Sequence, residues 1–285
     1  MEPHPLLLFQ SLWGYGGTLA GAIRRAAEHG FDGLEANLQH PALTALEAGS
    51  ISDQLQAAGQ RLILELVTGG DYAPALQAGP EQHLAELEQL LEQAQPLQPL
   101  RISVITGSDS WPMAEQHRFL ERALDLATAA AAPVSFETHR SRSLFNPWAI
   151  AGFVQAHPRL RLTADLSHWC CVAERLMEPE FEPIQAMADR VDHIHARIGH
   201  SQGPSVSHPF APEWSEALQA HRRCWQLFRQ HQVARQAGPS TLTPEFGPDG
   251  YLPVLPFTGM PVADLETINV AMAQWLRSGV LDPQG

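Results

Sequence analysis

The sequence predicts an α/β protein built as a single (β/α)8 (TIM) barrel domain spanning residues 1–285, and three observations predict it. Short runs of strand character alternate with longer patterns of helical period from end to end. Eight such runs can be assigned, and strands alternating with helices form parallel βαβ units, eight of which close naturally into a barrel. The length of 285 residues suits a barrel of about 250, and a hydrophobic share of 44% suffices for one sizeable core.

The first run, Leu6–Leu12, lies in MEPHPLLLFQ, which has no basic segment ahead of its apolar stretch and so reads as a strand rather than a signal peptide. Leu19–His29 has helical spacing and ends at Gly30, and Gly33–Leu38 is the second strand. Arg61–Val67 is the third, closed by Gly69, with the helical pattern His83–Gln93 after it. Arg101–Thr106 with Phe119–Ala130, and Pro133–Thr138 with Pro147–Ala156, repeat the unit, the latter punctuated by Pro158. Arg161–Leu166 and Asp192–Ile198 are strands six and seven. The Gly/Pro/His-rich segment Gly199–Pro212 is the one long loop, expected on the catalytic face, and Glu213–His231 is the helix behind it. Thr241–Phe246 and Ala263–Arg277 complete the eighth unit, with no linker or low-complexity tail in sight.

Composition narrows the function. The formal net charge is −13, and all 18 basic residues are arginine. A chain without lysine cannot run Schiff-base chemistry, and an acidic one lacks the clustered positive charge that nucleic-acid backbones require. No apolar stretch approaches the roughly 20 residues that span a bilayer, so a soluble, cytoplasmic protein with no membrane or nucleic-acid partner is expected. Exposed barrel helices often pair, which leaves room for a homo-oligomer. Three cysteines, two of them adjacent, form neither a disulfide framework nor a zinc cage. Any metal must therefore be held by carboxylates and imidazoles.

Such groups recur at the ends of four consecutive strands. Strand 5 ends in Phe136-Glu137-Thr138-His139-Arg140, and strand 6 in Asp165-Leu166-Ser167-His168-Trp169. Strand 7 carries His193-Ile194-His195-Ala196-Arg197, and strand 8 ends in Thr243-Pro244-Glu245-Phe246-Gly247. Glu137 and Asp165 are 28 residues apart and Asp165 and His195 are 30, one βα unit each; the 50 to Glu245 include the long loop. Charged groups inside apolar strands are costly unless paired or metal-bound, and the C-terminal strand ends of a barrel converge on one mouth. Three carboxylates and one imidazole suit one divalent ion, Mn2+, Mg2+, Co2+ or Zn2+. His193 and His195 face the same side of their strand, so spacing leaves open which of them is the ligand. A lone carboxylate at a strand end is more often a cap, and Asp192 can simply orient an imidazole; the joint pattern of four is what points to a metal.

With Gly30-Phe31-Asp32-Gly33-Leu34-Glu35 opening strand 2, the chain resembles the xylose-isomerase-like barrels, which include ketose 3-epimerases, inosose dehydratases and apurinic endonucleases. The resemblance runs over nearly the whole chain. It implies Glu137, Asp165, His195 and Glu245 as metal ligands, preferring His195 over His193, and makes Asp165-x-x-His168 similar to a D-x-x-H motif whose histidine touches substrate. Strands 3 and 4 end without the extra histidines of the endonucleases, and the lysine of true xylose isomerases is missing. No glycine-rich cradle leading into a helix supports a phosphate.

A carbonyl compound with several hydroxyls is the expected partner. Glu137 and Glu245 could remove and return a proton beside the carbonyl through an enediolate on the metal, as in an isomerase or epimerase of a small non-phosphorylated ketose or keto-polyol. Expulsion of a β-hydroxyl or alkoxide would instead make a dehydratase or lyase acting on a keto-inositol or keto-glycoside, with His168 as candidate acid and Arg197 as an oxyanion clamp. A non-catalytic metal-binding barrel is the third possibility. Glu35, His139, Trp13 and Trp169 are further substrate-binding candidates alongside Arg197, while Glu65 either meets hydroxyls or pairs with an interior arginine. Trp111 is a weaker candidate of the same kind as the other tryptophans. The Pro244–Pro261 stretch, with Tyr251 and Phe257, is expected to cover the site.

Overall fold

The computed structural model of the chain describes residues 4–236 and 238–282; the first three residues of MEPHPLLLFQ and the last three of the chain lie outside it. Eight parallel strands close in sequence order, β1 (Leu6–Ser11), β2 (Gly33–Asn37), β3 (Arg61–Val67), β4 (Arg101–Ile105), β5 (Val134–Glu137), β6 (Leu162–Ala164), β7 (Val191–His195) and β8 (Ser240–Thr243), with β8 pairing back onto β1 through Leu6 and Ser240. The expected (β/α)8 barrel is present. Its helices are α1 (Leu19–Glu28), α2 (Pro41–Thr44), α3 (Ala48–Ala57), α4 (Pro80–Ala94), α5 (Met113–Ala129), α6 (Ile150–Ala156), α7 (Leu166–Val172), α8 (Glu182–Met187), α9 (Ser215–Arg235) and α10 (Leu265–Arg277).

The helices that periodicity did not mark have physical reasons for hiding. In α3 only Ile51 and Leu55 are buried, too sparse a stripe to stand out. In α7 the first five residues, Leu166 to Cys170, are all buried, so no polar face alternates with the apolar one.

Strand alternation sorts side chains into two cores. Leu8, Leu34, Leu64, Val104, Phe136, Leu162, Ile194 and Leu242 point outward into the large apolar layer beneath the helices. Inside the barrel, Leu7, Phe9 and Ile63 form a small separate plug. The rest of the interior is polar: the Thr163 hydroxyl bonds those of Ser103 at 2.9 Å and Ser135 at 2.7 Å, and Glu35, Glu65, His193 and Thr241 are all buried. Asp192, which could have oriented an imidazole, instead bonds Arg161 and Arg235 and lies 3.4 Å from Arg101, at the N-terminal end of β7 away from the mouth. Most strands stop short of their expected C-terminal ends. The residues past β6, β7 and β8 turn out of the ladder, and those are the residues that build the mouth.

Candidate metal centre and active site

Each of the four expected ligands stands where a strand gives out. Glu137 is the last residue of β5 and His195 the last of β7. Asp165 follows β6 as the N-cap of α7, its Oδ1 accepting from the Ser167 N–H at 2.9 Å. Glu245 lies just beyond β8. All four are buried. Ligand atoms of Glu137, Asp165 and His195 lie within 4.8 Å of one another and could hold an ion. Glu245 Oε2 reaches the same place, 3.2 Å from His195 Nδ1, with Glu137 Oε2 3.5 Å from that nitrogen.

Hydrogen bonding separates the two histidines that spacing could not. Both nitrogens of His193 are taken, Nδ1 by Thr241 Oγ1 at 2.8 Å and Nε2 by Glu35 Oε2 at 3.1 Å. His195 gives Nε2 to Glu35 Oε1 at 3.0 Å, and its Nδ1 has no partner among the described residues. Glu137 Oε2 is likewise buried and unpartnered. Buried polar atoms are nearly always satisfied, so two orphans of ligand type aimed at one spot fit a cation between them.

The charge agrees. Arg197 bonds Asp165 Oδ2, Glu245 Oε2 (3.2 Å), Ser167 Oγ (3.0 Å) and His168 Nε2 (2.9 Å). Three carboxylates against one guanidinium leave the set doubly negative when His195 is neutral, a deficit that a divalent ion cancels. Burial pushes the Asp165 and Glu137 carboxyls up, and the neighbouring carboxylates add to it. Burial works to lower His195, but Glu245, Glu35 and Glu137 outweigh it and hold the imidazole well above its ordinary value. The cluster is short of positive charge.

A cavity of about 520 Å³ opens on this set, reached by Glu137, Glu245, His168 and Arg197. Glu65 and Ile105 lie along it, and its walls include Trp13, Asp71, Tyr72, His139, Arg140, Asp249 and Tyr251. Trp13 donates its indole N–H to Asp249 at 2.8 Å and meets Tyr251 edge-on at 4.9 Å. It lies flat on Gly247, where a Cβ would come within 2.0 Å of the indole, so only glycine admits it. His139 lies 3.9 Å from the His168 ring and places its Nδ1 2.5 Å from the Arg140 carbonyl, and burial pulls its pKa down to about 3.

Several expectations are corrected. Glu35 is absent from the cavity wall; it sits below the ligand set, bracing His193, His195 and the Thr243 hydroxyl. Trp169 is fully buried, its indole N–H donated to Leu144 O at 3.0 Å, and takes no part in the cavity. Trp111 packs edge-on against His83 and Phe119. His168 reaches the cavity, but its Nε2 accepts from a guanidinium, which can only donate, so that nitrogen has no proton to deliver. Burial, with His139 and Arg197 nearby, also depresses its pKa well below the usual range. Glu65 pairs with no arginine among the described residues; it accepts from the Tyr72 hydroxyl at 2.5 Å and from Asn37 Nδ2 at 3.1 Å. Burial and the Glu245 and Glu137 carboxylates push it up to about 8. Phe257 is fully exposed and Phe246 is buried, so of the three aromatics in the Pro244–Pro261 stretch Tyr251 alone faces the cavity. No side chain of the Gly199–Pro212 loop is found on the wall among the described residues.

Sequence reasoning missed Tyr72 and Arg142. Tyr72 follows the Gly69-Gly70 turn at the end of β3, a position that could have flagged it. Arg142 gave no signal: it is fully buried and spends its guanidinium on the carbonyls of Thr68 (2.7 Å), Tyr72 (3.0 Å), Gly107 (3.3 Å) and Asp71, tying the loops after β3 and β4 together.

No family model matches the chain, and no curated protein does. Solved structures do. The D-allulose 3-epimerase of Methylomonas sp., determined with D-allulose, is 16% identical over 97% of this chain and 98% of its own, with a TM-score of 0.65. The probable 3-DHS dehydratase AsbF of Bacillus anthracis is 16% identical over 96% and 99%, at 0.62. A family 2 AP endonuclease from Brucella melitensis is 16% identical over 96% and 99%, at 0.57. The chain shares the (β/α)8-barrel fold of these proteins, as the alternation of its strands and helices implied. At such identity the likeness is one of fold.

Proposed function

We propose that the protein is a divalent-metal-dependent isomerase or epimerase of a small non-phosphorylated ketose or keto-polyol. The observation that carries this is the placing of two carboxylates, Glu137 and Glu245, on one cavity wall around the orphaned Nδ1 of His195. Glu137, Asp165, His195 and Glu245 are the residues that would hold the ion. When bound, it supplies Lewis-acid polarisation of a carbonyl, which acidifies the neighbouring C–H. Glu137, raised by burial, is suited to take that proton from carbon, and Glu245 to return one from another strand of the mouth. Arg197 keeps Asp165 and Glu245 in place, and His168, neutral and held by Arg197, offers a hydrogen bond to a hydroxyl rather than a proton. Trp13 and Tyr251, both on the cavity wall, supply aromatic surface against which a sugar ring packs. A fold neighbour solved with D-allulose supports a ketose as substrate.

The lyase alternative keeps one observation in its favour. Glu65, a third carboxyl on the same cavity and pushed up to about 8, is a candidate proton donor to a departing hydroxyl.

Incubation of the metal-loaded protein with ketoses in D2O is the test. Deuterium entering the carbon beside the carbonyl, with no elimination, and its loss in Glu137→Gln, is the expected result. Elimination with a new C=C absorbance would make it a lyase. Failure to bind a stoichiometric divalent ion after full reloading would refute both, and bound metal with no activity on any ketose leaves a non-catalytic barrel.

A further inference from the structure

The cavity holds a cation that pairs with no carboxylate among the described residues. Two guanidiniums line it. The charge of Arg197 is consumed by Asp165 and Glu245. Arg140, half-buried, has no carboxylate within 4.0 Å among the described residues. Its guanidinium instead lies over the Tyr251 ring, 5.1 Å from the centroid, and Arg197 approaches the same ring at 4.6 Å. The acidic residues of the rim are engaged elsewhere: Asp249 Oδ2 accepts from Trp13 and Asp71 Oδ1 from the Tyr72 N–H. The backbone at Arg140 is held as well. His139 Nδ1 lies 2.5 Å from its carbonyl, and Ser141 next to it takes a left-handed φ of 65°, a conformation unfavourable for a non-glycine residue.

A guanidinium parked on an aromatic face is partly compensated by cation–π attraction and keeps its hydrogen-bonding edge free. A ligand entering the cavity would strip water from that edge, which is unfavourable unless the ligand brings an acceptor of opposite charge. Neutral hydroxyls meet that need poorly; a carboxylate meets it with two parallel hydrogen bonds. We propose that the substrate is a keto-sugar carrying a carboxylate, and that Arg140 recognises it. This rests on the ketose reading above and adds to it a charge.

Binding to the Mn2+-loaded protein, measured by calorimetry with D-fructose, D-fructuronate and D-fructose 6-phosphate, tests the proposal. Tighter binding of D-fructose 6-phosphate than of D-fructuronate would overturn the carboxylate, and D-fructuronate is expected to bind about tenfold or more tighter than D-fructose. In Arg140→Met that preference should fall to about one, and in Arg140→Lys part of it should remain, because the charge survives and the planar fork does not. Metal affinity, measured in each variant, reports that the ligand set is intact. Equal affinity for the three ketoses, or a preference that persists in Arg140→Met, overturns the anion site and leaves the ketose reading standing. No binding of any of them to metal-loaded protein overturns both.

Discussion

Replacing Glu35 by glutamine should weaken metal binding without touching a metal ligand. Glu35 accepts from His195 Nε2 at 3.0 Å and so leaves Nδ1 as the nitrogen that faces Glu137 and Glu245. A carboxylate behind a ligating imidazole fixes its tautomer and raises its basicity, and losing one typically costs 10–100-fold in affinity, about 1.4–2.7 kcal/mol. Glutamine keeps an acceptor for His195 and loses the charge, so Glu35→Gln is expected near the lower end, about tenfold. Glu35→Ala, which also frees the ring to turn, should approach about a hundredfold. His193 bonds the same carboxylate but has both nitrogens occupied, so His193→Gln should change metal affinity less than either. Calorimetric titration with Mn2+ at fixed pH, with circular dichroism confirming the fold, measures all three. Affinity in Glu35→Ala within about twofold of the parent would refute the orienting role.

Arg142→Met strands buried carbonyls of the β3 and β4 loops and should cost about 3 kcal/mol or more, read as a lower denaturation midpoint and as lost hydrogen-exchange protection at residues 68–72. His221 accepts from the Gly199 N–H at 3.2 Å, its Nδ1 lies 2.9 Å from Ala217 O, and burial lowers its pKa to about 4. A depressed histidine contributes stability that is present above its unfolded value of about 6.5 and is lost as pH falls towards the folded value, about 2 kcal/mol of it by pH 5. With chelator present throughout, His221→Gln should therefore lose less melting temperature between pH 7 and pH 5 than the parent; an equal loss contradicts the assignment. Gly247→Ala drives a Cβ into the Trp13 indole and should destabilise by about 1–3 kcal/mol while metal affinity stays unchanged.

The barrel was legible because its signals are local. Alternation within strands, turn glycines and the spacing of one carboxylate or imidazole per βα unit are all properties of neighbouring residues, and they located eight strands and the mouth. Where those signals fail, as at uniformly buried α7, the helix went unmarked. The ends of strands were overextended at the mouth, where residues such as Asp165 and Glu245 have strand-like neighbours but leave the ladder, one to cap α7 and the other to face the cavity.

What the sequence by itself determined is the fold, and that four ligand-type residues lie at the ends of consecutive strands. Which partner each side chain finds was decided by tertiary structure alone. His193 and His195 are equivalent by period and differ only because Thr241 and Glu35, 48 and 158 residues away, occupy both nitrogens of one ring. Glu35 and Trp169 carried the marks of substrate contacts and are instead enclosed, one beneath the ligands and the other on the buried face of α7. Arg140 and Arg142 are near neighbours of the same residue type. One is spent on four carbonyls and the other keeps its charge for the cavity, a difference made by loops after β3 and β8 that no local pattern connects.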